Sequence, residues 1–179
     1  MDNRPDFVIP ATPDHAEALA ARLADDHARE VREVARLDPR DGLRLSLAAS
    51  LEAYAALGAP EASPLFMMGV CRPGLLTGTA MLWMLGAEGA GRQPARILRA
   101  ARWGIGRAFR ITDADSLEQF IPDWYRTGLR FAVRLGFSVC PANVGAGSGK
   151  DLHRVLLERR DYDARGSNPQ CMARLQQRP

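Results

Sequence analysis

Two apolar segments in the middle of the chain constrain its fold more than any other feature. Residues 65–70 are apolar throughout and lie between Pro64 and Pro73, and residues 76–85 form a longer, mostly apolar run. A strand that is apolar at successive positions buries both of its faces, so it lies inside a sheet that is covered on both sides. The two segments therefore predict central strands of such a sheet.

The flanking segments alternate between helix and strand patterns. Further strands are predicted at 7–9, 52–57, 117–121, 137–141 and 152–158, with 52–57 and 65–70 joined as a hairpin and 137–141 paired with 152–158. Helices are predicted from Thr12, over 31–37, over 41–50, from Pro94 to about Phe109, and over 124–135. This order predicts an α/β fold in which helices cover both faces of a mixed sheet of about six to seven strands. We expect a single domain over residues 1–160 and a loose polar tail over 161–179.

Composition excludes several functional classes. Hydrophobic residues make up 46% of the 179 residues and charged residues 25%, as is typical of soluble globular proteins. The net charge of +3 is too small to indicate nucleic-acid binding by itself. The three cysteines form no C-x-x-C pair, which argues against a disulfide framework or a cysteine zinc site and favours reduced thiols in the cytoplasm. The charged N-terminus does not resemble a secretory signal, and the longest apolar run is too short to span a membrane.

Two glycine-rich segments invite comparison with phosphate-binding loops. Residues 145–150 end in Gly-Lys, but Val144 stands where the motif begins with glycine and Asp151 replaces the residue that would hold Mg²⁺. We interpret this segment as a connection between strands. Residues 86–91 follow a predicted strand and precede the helix at Pro94, where unpaired N–H groups suit a phosphate or pyrophosphate. A glycine turn without a ligand explains the same residues equally well.

One face of the helix that starts at Pro94 carries a stripe of basic and aromatic side chains. Its members are Arg92, Arg96, Arg99, Trp103, Arg107 and Arg110, which recur at helical spacing. Arginines interleaved with an aromatic residue can bind nucleic acid or an anionic ligand. A solvated face opposite an apolar stripe gives the same pattern, and we favour that interpretation.

Recognisable catalytic motifs are scarce. No G-x-S-x-G is present, and His15, His27 and His153 show neither metal-ligand spacing nor an evident partner. Glu30 and Glu33 lie among arginines, a pattern typical of an ion-paired helix surface. The residues by themselves therefore predict no metal site and no catalytic centre.

In the order of its elements, the sequence resembles the GNAT (acetyltransferase) fold, and more closely the small GNAT-like proteins that tailed phages and prophages encode among their virion-assembly genes. The resemblance rests on the strand and helix start at 7–19, the helix and hairpin over 38–70, the strand and helix at 80–94, the run Arg130-Phe-x-x-Arg-Leu-Gly-Phe137, and the closing strand at 152–155. It implies a mixed, mostly antiparallel central sheet.

The resemblance also implies that acetyl-CoA or CoA binds where two central strands separate, with its pyrophosphate on the motif [QR]-x-x-G-x-[GA]. Gly89 and Gly91 match the glycines of this motif, and Gly86 replaces its Gln or Arg. The cofactor-binding residues expected from it are Leu85, Gly86, Gly89, Gly91, Arg92, Gln93 and Arg96. Ala132 replaces the tyrosine that often acts as general acid in these enzymes, which leaves Tyr125 as a candidate substitute. No metal is implied.

Three functions are compatible with these observations. The first is an acyl-CoA-dependent N-acyltransferase that acts on an unidentified amine in the cytoplasm. The second is a non-catalytic GNAT-fold protein that contacts a phage structural protein in virion assembly, which Gly86 and Ala132 favour. Nucleic-acid binding through the arginine stripe comes third. A membrane partner is not expected, and pairing of edge strands into a homodimer stays open.

Overall fold

The computed structural model describes residues 3–59, 63–72, 78–141, 143–144 and 151–166. These residues form eight strands, β1 (Val8–Pro10), β2 (Glu52–Leu57), β3 (Pro64–Cys71), β4 (Thr79–Gly86), β5 (Ser116–Pro122), β6 (Ser138–Val139), β7 (Asn143–Val144) and β8 (Asp151–Glu158). They also form the helices α1 (Pro13–Ala20), α2 (Asp25–Glu30), α3 (Pro39–Ala49), α4 (Pro94–Thr112), α5 (Arg126–Leu135) and α6 (Arg159–Gly166). A π-helical segment, Val31–Ala35, extends α2, and a 3-10 turn, Ala90–Arg92, precedes α4.

The strands form one sheet in the order β1-β2-β3-β4-β5-β8-β6, with β7 also paired to β8. β4 and β5 run parallel, and the other pairs are antiparallel. Because β6 and β7 pair with successive parts of β8, they share one edge position, and the sheet is seven strands wide. The prediction of a mixed, mostly antiparallel sheet is confirmed, as are the predicted hairpin and the pairing of the last two predicted strands.

β3 is the central strand that its apolar sequence predicts. Its residues are buried from Pro64 to Val70, and its side chains alternate between two helical layers. Met67 packs against α1 and α3 on one face, whereas Phe66 and Met68 pack against α4 on the other. α5 joins α4 on this second face, where both contribute to a buried cluster with β5 and β8. The prediction that helices cover both faces is therefore confirmed.

Local sequence signals set the starts of α1 and α3. The Thr12 side chain accepts a hydrogen bond from the backbone N–H of His15, and a proline follows in the first turn, as is typical of a helix start. Asp38 caps α3 through the N–H of Arg40. Between the two, Arg36 ends the π-helical segment in the left-handed region, with a φ of 57°. These signals fix where the helices that cover one face of the sheet start and where the chain turns between them.

The C-terminal region differs from the prediction. Arg159–Gly166 form α6, so the expectation of a loose tail is wrong for residues 161–166. Contacts of α6 explain the difference. Tyr162 packs on Phe109 with ring centroids 5.2 Å apart, and the Arg159 guanidinium donates hydrogen bonds to the carbonyl oxygens of Phe109 and Ala114. The glycine segment at 145–150 and residues 167–179 lie outside the described residues.

Candidate functional site

The two parallel strands of the sheet separate along their length. Pairing between β4 and β5 is confined to Thr79–Met81 and Ser116–Glu118. Both strands then continue, β4 to Gly86 and β5 to Pro122. The separation leaves a wedge at the carboxyl ends of two parallel strands, a position where α/β proteins commonly bind ligands.

A cavity of about 650 Å³ occupies this wedge. Its walls are mostly apolar and include Leu82 and Met84 on β4, Ile121 on β5, Leu98 on α4 and Phe131 on α5. The glycine turn before α4 and residues of α2 also line the cavity. The volume and the apolar lining are typical of a site for an organic ligand.

The glycine turn at 86–91 lines part of the cavity. Gly89 has a φ of 75°, a conformation that favours glycine, and a Cβ atom on Gly91 would meet no atom within 4 Å. The N–H groups of Gly89, Gly91 and Ala95 have no hydrogen-bond partner among the described residues, and they lie near the positive end of the α4 dipole. Open space beside unpaired donors suits an anion such as a phosphate.

Three side chains expected to bind a cofactor have other partners. Arg96 donates a hydrogen bond to the carbonyl oxygen of Leu57 at 2.8 Å. The Gln93 amide makes two hydrogen bonds with the backbone of Ala59, at 3.2 and 3.3 Å. Leu85 is buried in the cluster that packs against α1 and α3. The glycine turn therefore offers a ligand its backbone rather than these side chains.

The middle of the arginine stripe packs against β1 and β2. Its contacts are Arg96 and Arg99 over the Phe7 ring, Trp103 edge-on to Tyr54, and a bidentate ion pair of Arg107 with Glu52. Arg92, Arg99 and Arg110 are exposed. The preference for a solvated face is thus wrong for the other three members, Arg96, Trp103 and Arg107, because Phe7 and β2 present aromatic rings and a carboxylate to them.

Beside Gly86, polar side chains from α2 and from the start of α5 form the polar end of the cavity. The Tyr125 hydroxyl lies 3.1 Å from Nε2 of His27, and the two rings meet edge to face. On the opposite side of the imidazole, Nδ1 lies 3.6 Å from Oε2 of Glu30. Asp26 lines the cavity beside them. The Glu30 carboxylate, the His27 imidazole and the Tyr125 phenol thus lie in a row that ends at the cavity.

Two glycines provide room for this arrangement. A Cβ atom on Gly128 would lie only 2.8 Å from the Tyr125 ring, and one on Gly86 would lie 3.4 Å from Nε2 of His27. Burial raises the pKa of the Tyr125 phenol above its usual range, and the charges of Glu30 and Asp26 act in the same direction. Tyr125 therefore keeps its proton at neutral pH.

Contacts of Trp124 hold α2 and its π-helical extension across the mouth of the cavity. The Trp124 indole N–H donates to Oε2 of Glu33 at 3.1 Å, and the Arg29 guanidinium lies 4.0 Å from the centre of its ring. Arg29 and Glu33 form the expected ion pair, with 3.0 Å between Nε and Oε1. For Glu33 the prediction of an ion-paired helix surface is confirmed, whereas Glu30 faces His27 instead.

Sequence reasoning missed the roles of His27 and Glu30. The contact between His27 and Tyr125 joins positions 98 residues apart, and no spacing rule links such positions. His15 and His153 also have partners that the sequence did not indicate, in Thr12 and Asp123. The available signal was indirect, because the chain lacks the usual tyrosine at Ala132, and Tyr125 lies near the start of the same predicted helix.

Within the described residues, no helix is long and apolar enough to cross a membrane. No cluster of three or more His, Cys, Asp or Glu side chains there is placed to hold a metal ion.

Comparison with known proteins gives matches in structure but not in sequence. No family model matches the chain, and no curated protein is similar to it in sequence. A GCN5-related N-acetyltransferase from Brucella melitensis superposes with a TM-score of 0.65 at 15% identity, over 90% of this chain and 80% of that one.

Two other solved structures have the same architecture. An acetyltransferase of the GNAT family from Bacillus anthracis matches with a TM-score of 0.63 at 8% identity, over 86% of this chain and 94% of that one. A ribosomal-protein-S5-alanine acetyltransferase from Vibrio fischeri matches with a TM-score of 0.60 at 10% identity, over 87% and 93%. These comparisons give no support to a phage affiliation. They do show that the chain has the α/β fold of the GNAT acetyltransferases.

Proposed function

We propose that this protein is an acyl-CoA-dependent N-acyltransferase. The observation that carries the proposal is the wedge between β4 and β5, where one cavity joins unpaired amides before α4 to a histidine–tyrosine pair. The three solved structures with the same fold carry the names of acetyltransferases, which supports the proposal.

The glycine turn fits the pyrophosphate of acetyl-CoA or CoA through its backbone. Gly89, Gly91 and Ala95 would hold the phosphates with their N–H groups, and the open space at Gly91 leaves room for them. When bound, acetyl-CoA supplies a thioester whose acyl carbon an amine can attack. The apolar walls at Leu82 and Met84 exclude water from the part of the cavity where this reaction takes place.

The polar end of the cavity suits an amine as the acyl acceptor. Asp26 and Glu30 place two carboxylates near the Tyr125 hydroxyl, and negative charge attracts a protonated amine. Ala132, where GNAT enzymes often have their acid tyrosine, is buried and lines the cavity. Tyr125 reaches the same cavity from the start of α5 and holds a proton at Oη.

Binding of acetyl-CoA tests the proposal directly. We expect acetyl-CoA to raise the melting temperature of the protein and to bind in calorimetry, because a ligand of the native state stabilises it. Gly91→Asp should weaken this binding by at least about tenfold, since it places a carboxylate beside the phosphates, whereas Gly91→Asn should bind within about threefold of wild type. A wild-type protein that millimolar acetyl-CoA neither stabilises nor binds would refute the proposed function.

A non-catalytic GNAT-fold protein that acts through protein contacts is the second candidate. It is favoured by Ala132 and Gly86, since each replaces a side chain that GNAT enzymes use. Steady acylation of a primary amine by the purified protein would exclude this role, whereas copurification with a phage capsid or tail component, in a protein that binds no acetyl-CoA, would establish it.

A further inference from the structure

We infer that Glu30 and His27 make Tyr125 a two-way proton relay, in which the Tyr125 hydroxyl accepts a proton from the substrate amine while its own proton moves to Nε2 of His27, and later takes that proton back from Nε2 as it gives one to the leaving sulfur. The inference rests on the proposed function, because it assigns roles in the acyl transfer proposed for the same cavity. It concerns residues from α2 and from the start of α5, which the structure brings together at the mouth of the wedge.

The surroundings of Nδ1 determine where the neutral His27 imidazole carries its proton. Nδ1 is buried and makes no hydrogen bond within the described part of the chain, and Oε2 of Glu30, 3.6 Å away, is its charged neighbour. A bare lone pair on Nδ1 would face a carboxylate and be repelled by it, whereas an N–H at this position is attracted. The neutral ring therefore carries its proton on Nδ1.

This tautomer sets the direction of the hydrogen bond between the two rings. With its proton on Nδ1, His27 presents a lone pair at Nε2, so the Tyr125 hydroxyl is the donor across the 3.1 Å contact. The lone pairs of the phenolic oxygen are then available to a ligand in the cavity, which Tyr125 lines. Tyr125 therefore meets an incoming amine as a proton acceptor.

The relay balances the protons of an acyl transfer. An ammonium acceptor first releases one proton to solvent. The acyl carbon then exchanges its bond to sulfur for a bond to the nitrogen of the neutral amine, while this nitrogen loses one proton and the sulfur gains one. Oη of Tyr125 takes the proton of this nitrogen as its own moves to Nε2 of His27, and the resulting imidazolium is stabilised by Glu30. The proton then returns from Nε2 to Oη, and the hydroxyl proton moves to sulfur.

Burial also explains why the two transfers occur together. A raised pKa disfavours a lasting phenolate at Tyr125, so the hydroxyl must gain one proton as it gives up the other. Tyr125 is the catalytic residue of this relay, since it faces the reacting atoms. His27 and Glu30 act through it and are positioning residues.

Nuclear magnetic resonance of protein with ¹⁵N-labelled histidine tests the relay without an acceptor substrate. Comparison with His27→Gln assigns the His27 signals. We expect the Nδ1–H tautomer, signals that change in Tyr125→Phe, and a larger change on adding CoA than on adding desulfo-CoA, which lacks the thiol. A proton on Nε2, or equal changes with the two ligands, would overturn the relay. If neither ligand binds, the proposed function is refuted. The tautomer of His27 still tests the direction of its hydrogen bond with Tyr125, on which the relay depends.

Kinetics with acetyl-CoA and a panel of simple primary amines give a second test. We expect His27→Gln and Tyr125→Phe each to lower kcat by at least about 100-fold, with the KM for acetyl-CoA changed less than about threefold. The double variant should be no slower than Tyr125→Phe, because the two residues act as a unit. The control is His15→Gln, on α1 and outside the cavity, which should change neither constant.

The pH profile separates a relay from a merely structural contact. The titratable groups that face the His27 ring are Glu30 from its own helix and Tyr125 from α5, with Asp26 acting on Tyr125, while Gly86 on the third side carries no charge. We expect the dependence of kcat on pH to differ between the wild type and His27→Gln. Wild-type kcat with an unchanged pH profile in this variant would overturn the relay, and the absence of turnover with every amine would count against the proposed function.

Discussion

Gly136 shows how a single residue fixes the end of an element. It follows α5 with a φ of 106°, a region that L side chains rarely adopt, and a Cβ atom there would clash with the Arg165 guanidinium. We expect Gly136→Ala to lower the free energy of unfolding by about 1–2 kcal/mol, mainly through backbone strain, because the exposed arginine can move aside. Urea denaturation measures this loss.

Gly91 supplies the matched control for this prediction. It has no neighbour where a Cβ would stand and no positive φ. Gly91→Ala should therefore change the free energy of unfolding by less than about 0.5 kcal/mol. Equal losses of unfolding free energy in the two variants would show that the positive φ of Gly136 does not account for the loss in Gly136→Ala.

Gly128 links one residue's size to the geometry of the site. An added methyl group would lie 2.8 Å from Cδ1 and Cε1 of Tyr125, so the ring must shift and its contact with His27 must lengthen. We expect Gly128→Ala to reduce kcat at least about tenfold, with little loss of stability because alanine is the better helix former. The kcat of the variant and its histidine NMR signals test this expectation.

The same substitution in a Tyr125→Phe background is its control. If Gly128 acts only through the position of the Tyr125 hydroxyl, the second change should cost no further activity once that hydroxyl is gone. An additional tenfold loss in the double variant would mean that Gly128 serves the cavity in another way.

At the scale of elements, the sequence predicted more about helix boundaries than about helix partners. The start of α1 at Thr12 follows from local capping chemistry, and the structure confirms it. Periodicity also placed the α4 arginines on one face, but it could not predict that Phe7 and Glu52 would lie opposite them. Contacts of this kind depend on which strand occupies the sheet edge, and a local pattern does not contain that information.

The packing of α4 carries a prediction about nucleic acid. Arg96 donates to a backbone carbonyl and Arg107 to a carboxylate, so a phosphate would have to compete with these partners for both guanidinium groups. We expect a labelled DNA duplex to bind weakly in fluorescence anisotropy, with a salt dependence that corresponds to fewer than about three phosphate contacts. Submicromolar affinity with a steep salt slope would contradict this expectation.

At the scale of the whole molecule, the sequence predicted the architecture of the sheet, but it did not predict the chemistry at the polar end of its cavity. The apolar runs and the order of elements sufficed for a covered mixed sheet, because each depends on local pattern. The pair of His27 and Tyr125 forms only when α2 lies across the end of β4, where Ala24 donates to the carbonyl oxygen of Gly86. That arrangement is a product of tertiary packing, which spacing along the chain does not report.

Glu52 and His153, in different parts of the fold, should make its stability depend on pH in opposite directions. Hydrogen bonds from Arg107 hold the pKa of Glu52 below its usual 4.5, so its contribution is present above that value and is lost as the pH falls below it. The carbonyl of Cys140, and then Asp123, raise the pKa of His153 above its usual 6.5. The contribution of His153 is therefore complete below that value and is lost as the pH rises through the raised pKa.

Two glutamine variants separate these contributions to the stability of the whole molecule. Glu52→Gln should cost about 1–2 kcal/mol at neutral pH, and this difference from wild type should shrink as the pH falls below 4.5. His153→Gln should cost about 1 kcal/mol in mild acid, and its difference should shrink as the pH rises above 6.5. Urea unfolding across the pH range measures both, and a difference that stays constant with pH would show that the residue contributes by packing rather than by its charge.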